Sequence, residues 1–390
     1  MDFRYRTPSI ASLATIALTA LTVGCGGGDA PPAATASGGP AKVKLAYLGL
    51  TCEAAMFVAR ENGYFQEEGI EVEFVKTDWD GLRDGLGLGK FDANYTLIMY
   101  LLKPIEQGLD VKITGGVHSG CLRTQVPDAS PVKSLADLKG KTIGIPNMGS
   151  PPFLFTSRAL AAKGLDPSKD VNWVVVAPEL MKIALEKGQV DAVANSEPMG
   201  SILTAQAGVR TVADQAVDEP YRDEYCCATV VSGKFAASNP TAAAKITRAL
   251  LKGALWVDTN PRAAAEMAVE KKYVASTVEL NAHALGKLRY MPGVARCRES
   301  LDQAAREMKT AGLLNPSTDP AELAKRAWID LDGVSDAWIK GLNVEKLADG
   351  GPSPVLDVAG LLEAVARVED PRAIYCQGCD MATGTDFCGR

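Results

Sequence analysis

Apolar and polar positions after Ala41 switch repeatedly between two periods. "KVKLAYLG" alternates residue by residue and stops at a glycine, as a half-buried strand does. "CEAAMFVARENGYFQEEG" then carries its apolar residues at helical spacing up to Gly69. "IEVEFVKT" predicts a second strand, "WDGLRDGLGLGK" a short helix, "FDANYT" a short strand, "LIMYLLKPIEQG" a helix interrupted by Pro104, and "DVKITGGVHSG" another strand. The pattern restarts after Val126. "SLADLKGKTIGIPNMGSPPFLFTSRALAAKGLD" reads as strand, Gly/Ser turn and helix, followed by "VNWVVVA", "ELMKIALEKGQ", "VDAVANSEP" and the strand "YCCATVV". Helical patterns dominate from there on, including "STVELNAHALGKLRYM" and "CRESLDQAAREMKTAGLL". Strands alternating with helices predict an α/β protein whose mainly parallel sheets are covered by helices. The chain from Ala41 onward is longer than one core usually serves, which predicts two lobes.

Composition narrows the function classes. The 390 residues carry a net charge of −6 from 41 basic and 47 acidic side chains, and no basic cluster stands out. A nucleic-acid partner is therefore not expected. No phosphate-cradling Gly-rich loop, "GxSxG" elbow or "HExxH" motif is present, so no enzyme is predicted.

The order "GYFQEEGIEVEF", "LGKFDA", "LADLKGKTIGIPNMGS", "LEKGQVDAVANSEP", then helices ending near "AWIDLDG", resembles the NMT1/THI5-like group of extracytoplasmic solute-binding proteins. That group serves ABC importers for nitrate, sulfonates, taurine and thiamine precursors. The resemblance runs from about Lys42 to Leu342 and implies a two-lobed periplasmic-binding-protein fold (type II). Two crossing strands would join the lobes, and a ligand would be held between them, for a permease. It implies lobe 1 from 42–122 and 231–346 and lobe 2 from 123–230, in a monomer.

The N-terminus reads as an export signal over residues 1–24. Arg4 and Arg6 precede an apolar stretch too short to span a bilayer comfortably. It ends in "LTVGC", which resembles the lipobox of bacterial lipoproteins, although Thr22 stands where that pattern usually has Leu. Cys25 is thus the expected site of a diacylglyceryl lipid. The Gly/Pro/Ala-rich residues 25–41 read as a tether. The expected location is the periplasm or the outer face of the cytoplasmic membrane, anchored by lipid, where disulfides are permitted.

In open α/β sheets ligands sit beyond the carboxyl ends of the strands. Four of the nine cysteines fall in such places: Cys52 after the first strand, Cys121 at the first crossing, and Cys226 with Cys227 at the second. His118, one of two histidines, precedes Cys121 by three residues in "HSGC". Thiolates with an imidazole match soft or borderline ions, so a soft metal ion or a metalloid is an expected ligand. Two readings stand level at this point: a thiol ligand site, or structural disulfides such as Cys52 with Cys121 or Cys226. A third reading leaves these cysteines inert and buried, with one of Cys226 and Cys227 facing the cleft and the other the core, because neighbours on a strand point opposite ways. The pair also resembles part of the cysteine-rich stretch of the thiamine-precursor branch, but Ala228 and Thr229 interrupt that run.

Weaker candidates share the cleft-facing loops. Asn147 and Ser150 flank a Gly-Ser turn that opens a helix, Asn195 and Glu197 precede Pro198, and Trp79 follows the second strand. Cys297 opens a helix, while His283 reads as an ordinary helix-surface residue. Residues 347–390 read as a linker and a tail bearing Cys376, Cys379 and Cys388, whose C-x-x-C and third thiol would bind zinc with one outside ligand or form a disulfide with one thiol left for Cys297 or a partner.

Overall fold

A computed structural model of the chain describes residues 41–348 and 350–368; Cys25, Cys376, Cys379 and Cys388 lie outside the described residues. Eleven strands form two sheets. Strands β1 (Ala41–Tyr47), β2 (Ile70–Lys76), β3 (Ala93–Leu97) and β4 (Val111–Ser119) open the first sheet. The chain then enters the second sheet through β5 (Leu122–Pro127), β6 (Thr142–Ile145), β7 (Asn172–Val175), β8 (Ala192–Ser196) and β9 (Val209–Asp214). It returns to the first as β10 (Cys227–Ser232) and β11 (Arg289–Gly293). The orders are β11-β4-β10-β3-β1-β2 and β7-β6-β8-β5-β9, the two-lobed α/β arrangement expected.

Position in the sheet explains each strand's composition. β3, between β1 and β10, is buried along its whole length and reads as an unbroken apolar and small-polar run. β1 buries Val43 and Leu45 while Lys42 and Lys44 face water, opposite Glu71 and Glu73 of the edge strand β2. The sheets are mixed rather than mainly parallel. β1 pairs in parallel with β2 and β3, and β6 with β7 and β8, as βαβ connections require. The strands next to the crossings run the other way: β10 lies antiparallel between β3 and β4, and β5 between β8 and β9.

Two segments connect the sheets. Gly120 and Cys121 form the first, between β4 and β5; residues 215–226 form the second, between β9 and β10. They touch, since a Cβ on Gly120 would lie 2.8 Å from the Ala216 side chain, and the Gln215 N–H donates to the Leu122 carbonyl at 3.0 Å. A buried ion triad adds a third link. Arg158, on the Pro151–Ala162 helix, binds both oxygens of Glu224 in the second crossing at 2.8 Å, and Glu307 of the Ala295–Thr310 helix at 2.8 Å.

The stretch after Leu347, read above as a linker, contains a packed helix. Asp357 caps it by accepting the Gly360 N–H at 2.8 Å, and over Val358–Ala366 it buries Leu361, Ala364 and Val365. These meet Ile202 and Leu203 of the Met199–Ala207 helix and Leu280 of the Val278–Leu285 helix. Among the described residues no helix is long and apolar enough to cross a membrane.

Candidate functional site

The four cysteines converge. Cys52 sits in a single helical turn, Thr51–Glu53, at the carboxyl end of β1. That turn is held from below: the Glu53 carboxylate accepts the N–H groups of Leu48, Gly49 and Leu50 at 2.7–3.1 Å. Burial pushes this carboxyl up to about 7 against those three donors. Gly49 is required there, because its φ is +93° and a Cβ would approach the Tyr273 carbonyl to 2.9 Å. Tyr290 fixes the same turn from above by donating its hydroxyl to the Cys52 carbonyl at 2.7 Å.

Cys121 occupies the first crossing with φ at 130°, a conformation that L residues other than glycine rarely adopt. Cys226 closes the second crossing. Its N–H donates to the His118 carbonyl at 3.0 Å and its carbonyl accepts from the Ile98 N–H at 2.9 Å. Cys227 opens β10, opposite His118 on one side and Leu97 on the other.

The sulfurs form a closed ring. Cys52 neighbours Cys121 and Cys227, and Cys226 neighbours the same two. All four are buried free thiols in this structure. Cys226 lies just ahead of β10, and the pairing of β10 with β4 shifts register right after Cys227. Proton donation from Cys226 and Cys52 holds the Cys121 thiol well below the ordinary thiol range. The same hydrogen bond pushes Cys52 up, and burial pushes Cys226 and Cys227 up.

His118 completes the cluster. One of its ring nitrogens and the sulfurs of Cys52 and Cys227 lie within 4.8 Å of one another. Nδ1 faces the Ser119 carbonyl oxygen at 3.4 Å, whereas buried Nε2 has no hydrogen-bond partner. Burial holds the imidazole below its usual range, so it is neutral and Nε2 has a lone pair to give. Tyr95 and Tyr290 wall the cluster, with ring centroids 6.3 and 5.1 Å from that of His118. Sequence reasoning places Tyr95 at a cleft-facing strand end, although it lies inside β3, and misses Tyr290, which lies in β11, where a helix is predicted.

The remaining candidates form a second network or stand apart. Glu197 binds Arg123 and accepts from Ser201 at 3.0 Å; Arg123 also binds Asp214 at 2.8 Å. The Glu197 N–H donates to the Cys121 carbonyl at 3.0 Å, which joins this network to the ring. Asn195 is buried and donates to Gln125 at 2.8 Å. Ser150 is buried with its hydroxyl unpaired, while Asn147 is exposed. Trp79 packs edge-on against Tyr100. Cys297 is fully buried. His283 is not a surface residue: it is 5 % exposed, with Nε2 3.1 Å from Ser201 Oγ and Nδ1 accepting the Leu356 N–H at 3.0 Å.

Comparison with known proteins places the chain. It is 25 % identical over 297 residues to the nitrate/nitrite binding protein NrtA of Nostoc sp., covering 68 % of this chain and 67 % of that protein. A putative aliphatic sulfonates-binding protein of Bacillus subtilis is 26 % identical over 261 residues, 65 % of this chain and 75 % of its own. The fold matches the periplasmic aliphatic sulphonate binding protein SsuA of Escherichia coli with a TM-score of 0.61 at 18 % identity, covering 76 % of this chain and 95 % of that one. These relatives are binding proteins, not enzymes. Residues 36–270 match the model of the NMT1-like family, and the chain belongs to that family.

Proposed function

We propose that this protein is an extracytoplasmic solute receptor, lipid-anchored through Cys25, that captures a thiophilic ligand between its two sheets and delivers it to an ABC importer. The ligand class is a soft metal ion, a metalloid or a thiol-bearing compound. One observation carries the ligand class: four thiols from three separate segments, at the point where both crossings meet, close a buried ring beside an imidazole nitrogen that has no partner. The relatives' names favour an oxyanion instead. Against that reading, Arg123, two residues after Cys121, is already paired with Glu197 and Asp214.

Function follows from hinge closure. A ligand that bridges groups on both crossings is held best when the sheets are closed on it, so binding shifts the population toward the closed form that a permease would read. The test is thermal stabilisation of the reduced protein by zinc, copper(I), arsenite and a small thiol, against nitrate and taurine. Saturable one-to-one stabilisation by a thiophile alone supports the reading, and stabilisation by taurine or nitrate alone refutes it. Turnover of any bound compound would instead mark an enzyme.

A further inference from the structure

We infer that Cys52, Cys227 and His118, with Cys121 closing the set, form a tetrahedral site for a divalent borderline cation of the zinc class, and that this cation is the captured solute. The inference rests on the receptor reading above and narrows it. A tetrahedral ion with metal–sulfur bonds of about 2.3 Å and metal–nitrogen bonds of about 2.0–2.1 Å separates its ligand atoms by roughly 3.5–3.8 Å. The three atoms already lie within 4.8 Å of one another, so small side-chain rotations complete the geometry. Cys121 neighbours Cys52, and its backbone is held at φ 130°, a conformation that its surroundings must enforce.

The donor mix selects the ion. Three-coordinate metalloids and copper(I) are satisfied by sulfur alone, whereas a site that joins thiolates with one imidazole fits zinc and its neighbours. His118 is prepared for that role: its Nδ1 faces the Ser119 carbonyl, the kind of contact that orients metal-binding histidines. Cys226 then stays beside Cys121 without touching the ion. Binding displaces the thiol protons of the ligating cysteines, so uptake releases protons to solvent.

Cobalt(II) tests this on the full reduced chain carrying Cys376→Ser, Cys379→Ser and Cys388→Ser, which silences the tail. The expected result is one cobalt per chain, a tetrahedral visible band, charge transfer from three thiolates, and displacement by one equivalent of zinc. His118→Asn should shift the visible band, keep the charge transfer and weaken binding by more than about tenfold. Cys226→Ser should leave the number of sulfur ligands unchanged. A four-sulfur spectrum in the parent chain, which no folding defect can produce, would overturn the inference. So would a spectrum indifferent to His118→Asn. If cobalt and zinc fail while arsenite or copper(I) protects the thiols from alkylation, this inference falls and the thiol-receptor reading stands. If no thiophile protects them and taurine stabilises the protein, both fall.

Discussion

The ring of Tyr225 occupies the space that a side chain at residue 116 would need: a Cβ on Gly116 would lie 2.4 Å from Tyr225 Cδ1. Tyr225 directly precedes the cysteine pair. Its hydroxyl donates to the Met291 carbonyl and its N–H to Ser300 Oγ at 3.1 Å, so the aromatic ring anchors the end of the second crossing.

Gly116→Ala should therefore act on the thiol ring without touching it. Overpacking at this point is expected to cost about 1–3 kcal/mol and to displace Cys226 and Cys227. Urea unfolding gives the first number, and the rate of thiol alkylation in the folded protein reads the second. Unchanged alkylation kinetics with full stability would show that Tyr225 does not position the pair.

Arg158→Met should be among the most destabilising changes in the chain. The side chain is fully buried, and its removal strands the Glu224 carboxylate, itself 1 % exposed, without its bidentate partner. Breaking one side of such a buried pair costs about 3–5 kcal/mol. Removing both charges, as Arg158→Met with Glu224→Gln, should recover a good part of the loss. If the double variant is no more stable than the single one, the penalty comes from lost packing against Tyr221 rather than from a stranded charge.

Much of this was legible in the chain. Period switching located most strands, and the strand-end rule placed Cys52, Cys121, Cys226 and Cys227 together from their sequence positions alone. Three things were not. Tyr290 lies in a strand containing Pro292 and Gly293, which β4 pairing imposes on a poor strand sequence. Cys226 lies just ahead of β10 rather than in it, a boundary that no periodicity encodes. His283 looked solvent-exposed because the segment that covers it, around Leu356, arrives more than seventy residues later.

That covering segment gives His283 a pH signature. Burial, with Lys287 and Arg123 nearby, pushes its imidazole down to about 4. The folded state thus binds the proton less readily than the unfolded chain, whose histidine titrates near 6.5. Stability contributed by neutral His283 is intact above about pH 6.5 and lost as pH falls toward 4. The ring is 5 % exposed, and a loss of about 1–2 kcal/mol is expected across this range. His283→Gln should flatten the dependence of urea stability between pH 4 and 6.5 relative to the parent chain. A parallel pH profile in the two proteins would assign the acid sensitivity to other groups.

The same strap should carry structural weight despite following a stretch rich in Gly and Pro. Leu361 is 4 % exposed and packs into the cluster containing Met181, Ile202, Leu203 and Leu280. Leu361→Ala leaves a cavity between helices of different segments and is expected to cost about 2–5 kcal/mol. Leu362, at 40 % exposure on the outer side of the same helix, is the internal control: Leu362→Ala should stay within about 0.5 kcal/mol of the parent. A strap that merely drapes over the surface would make the two substitutions equivalent. A strap that completes the core separates them by several kilocalories, and thermal unfolding of the pair decides between the two.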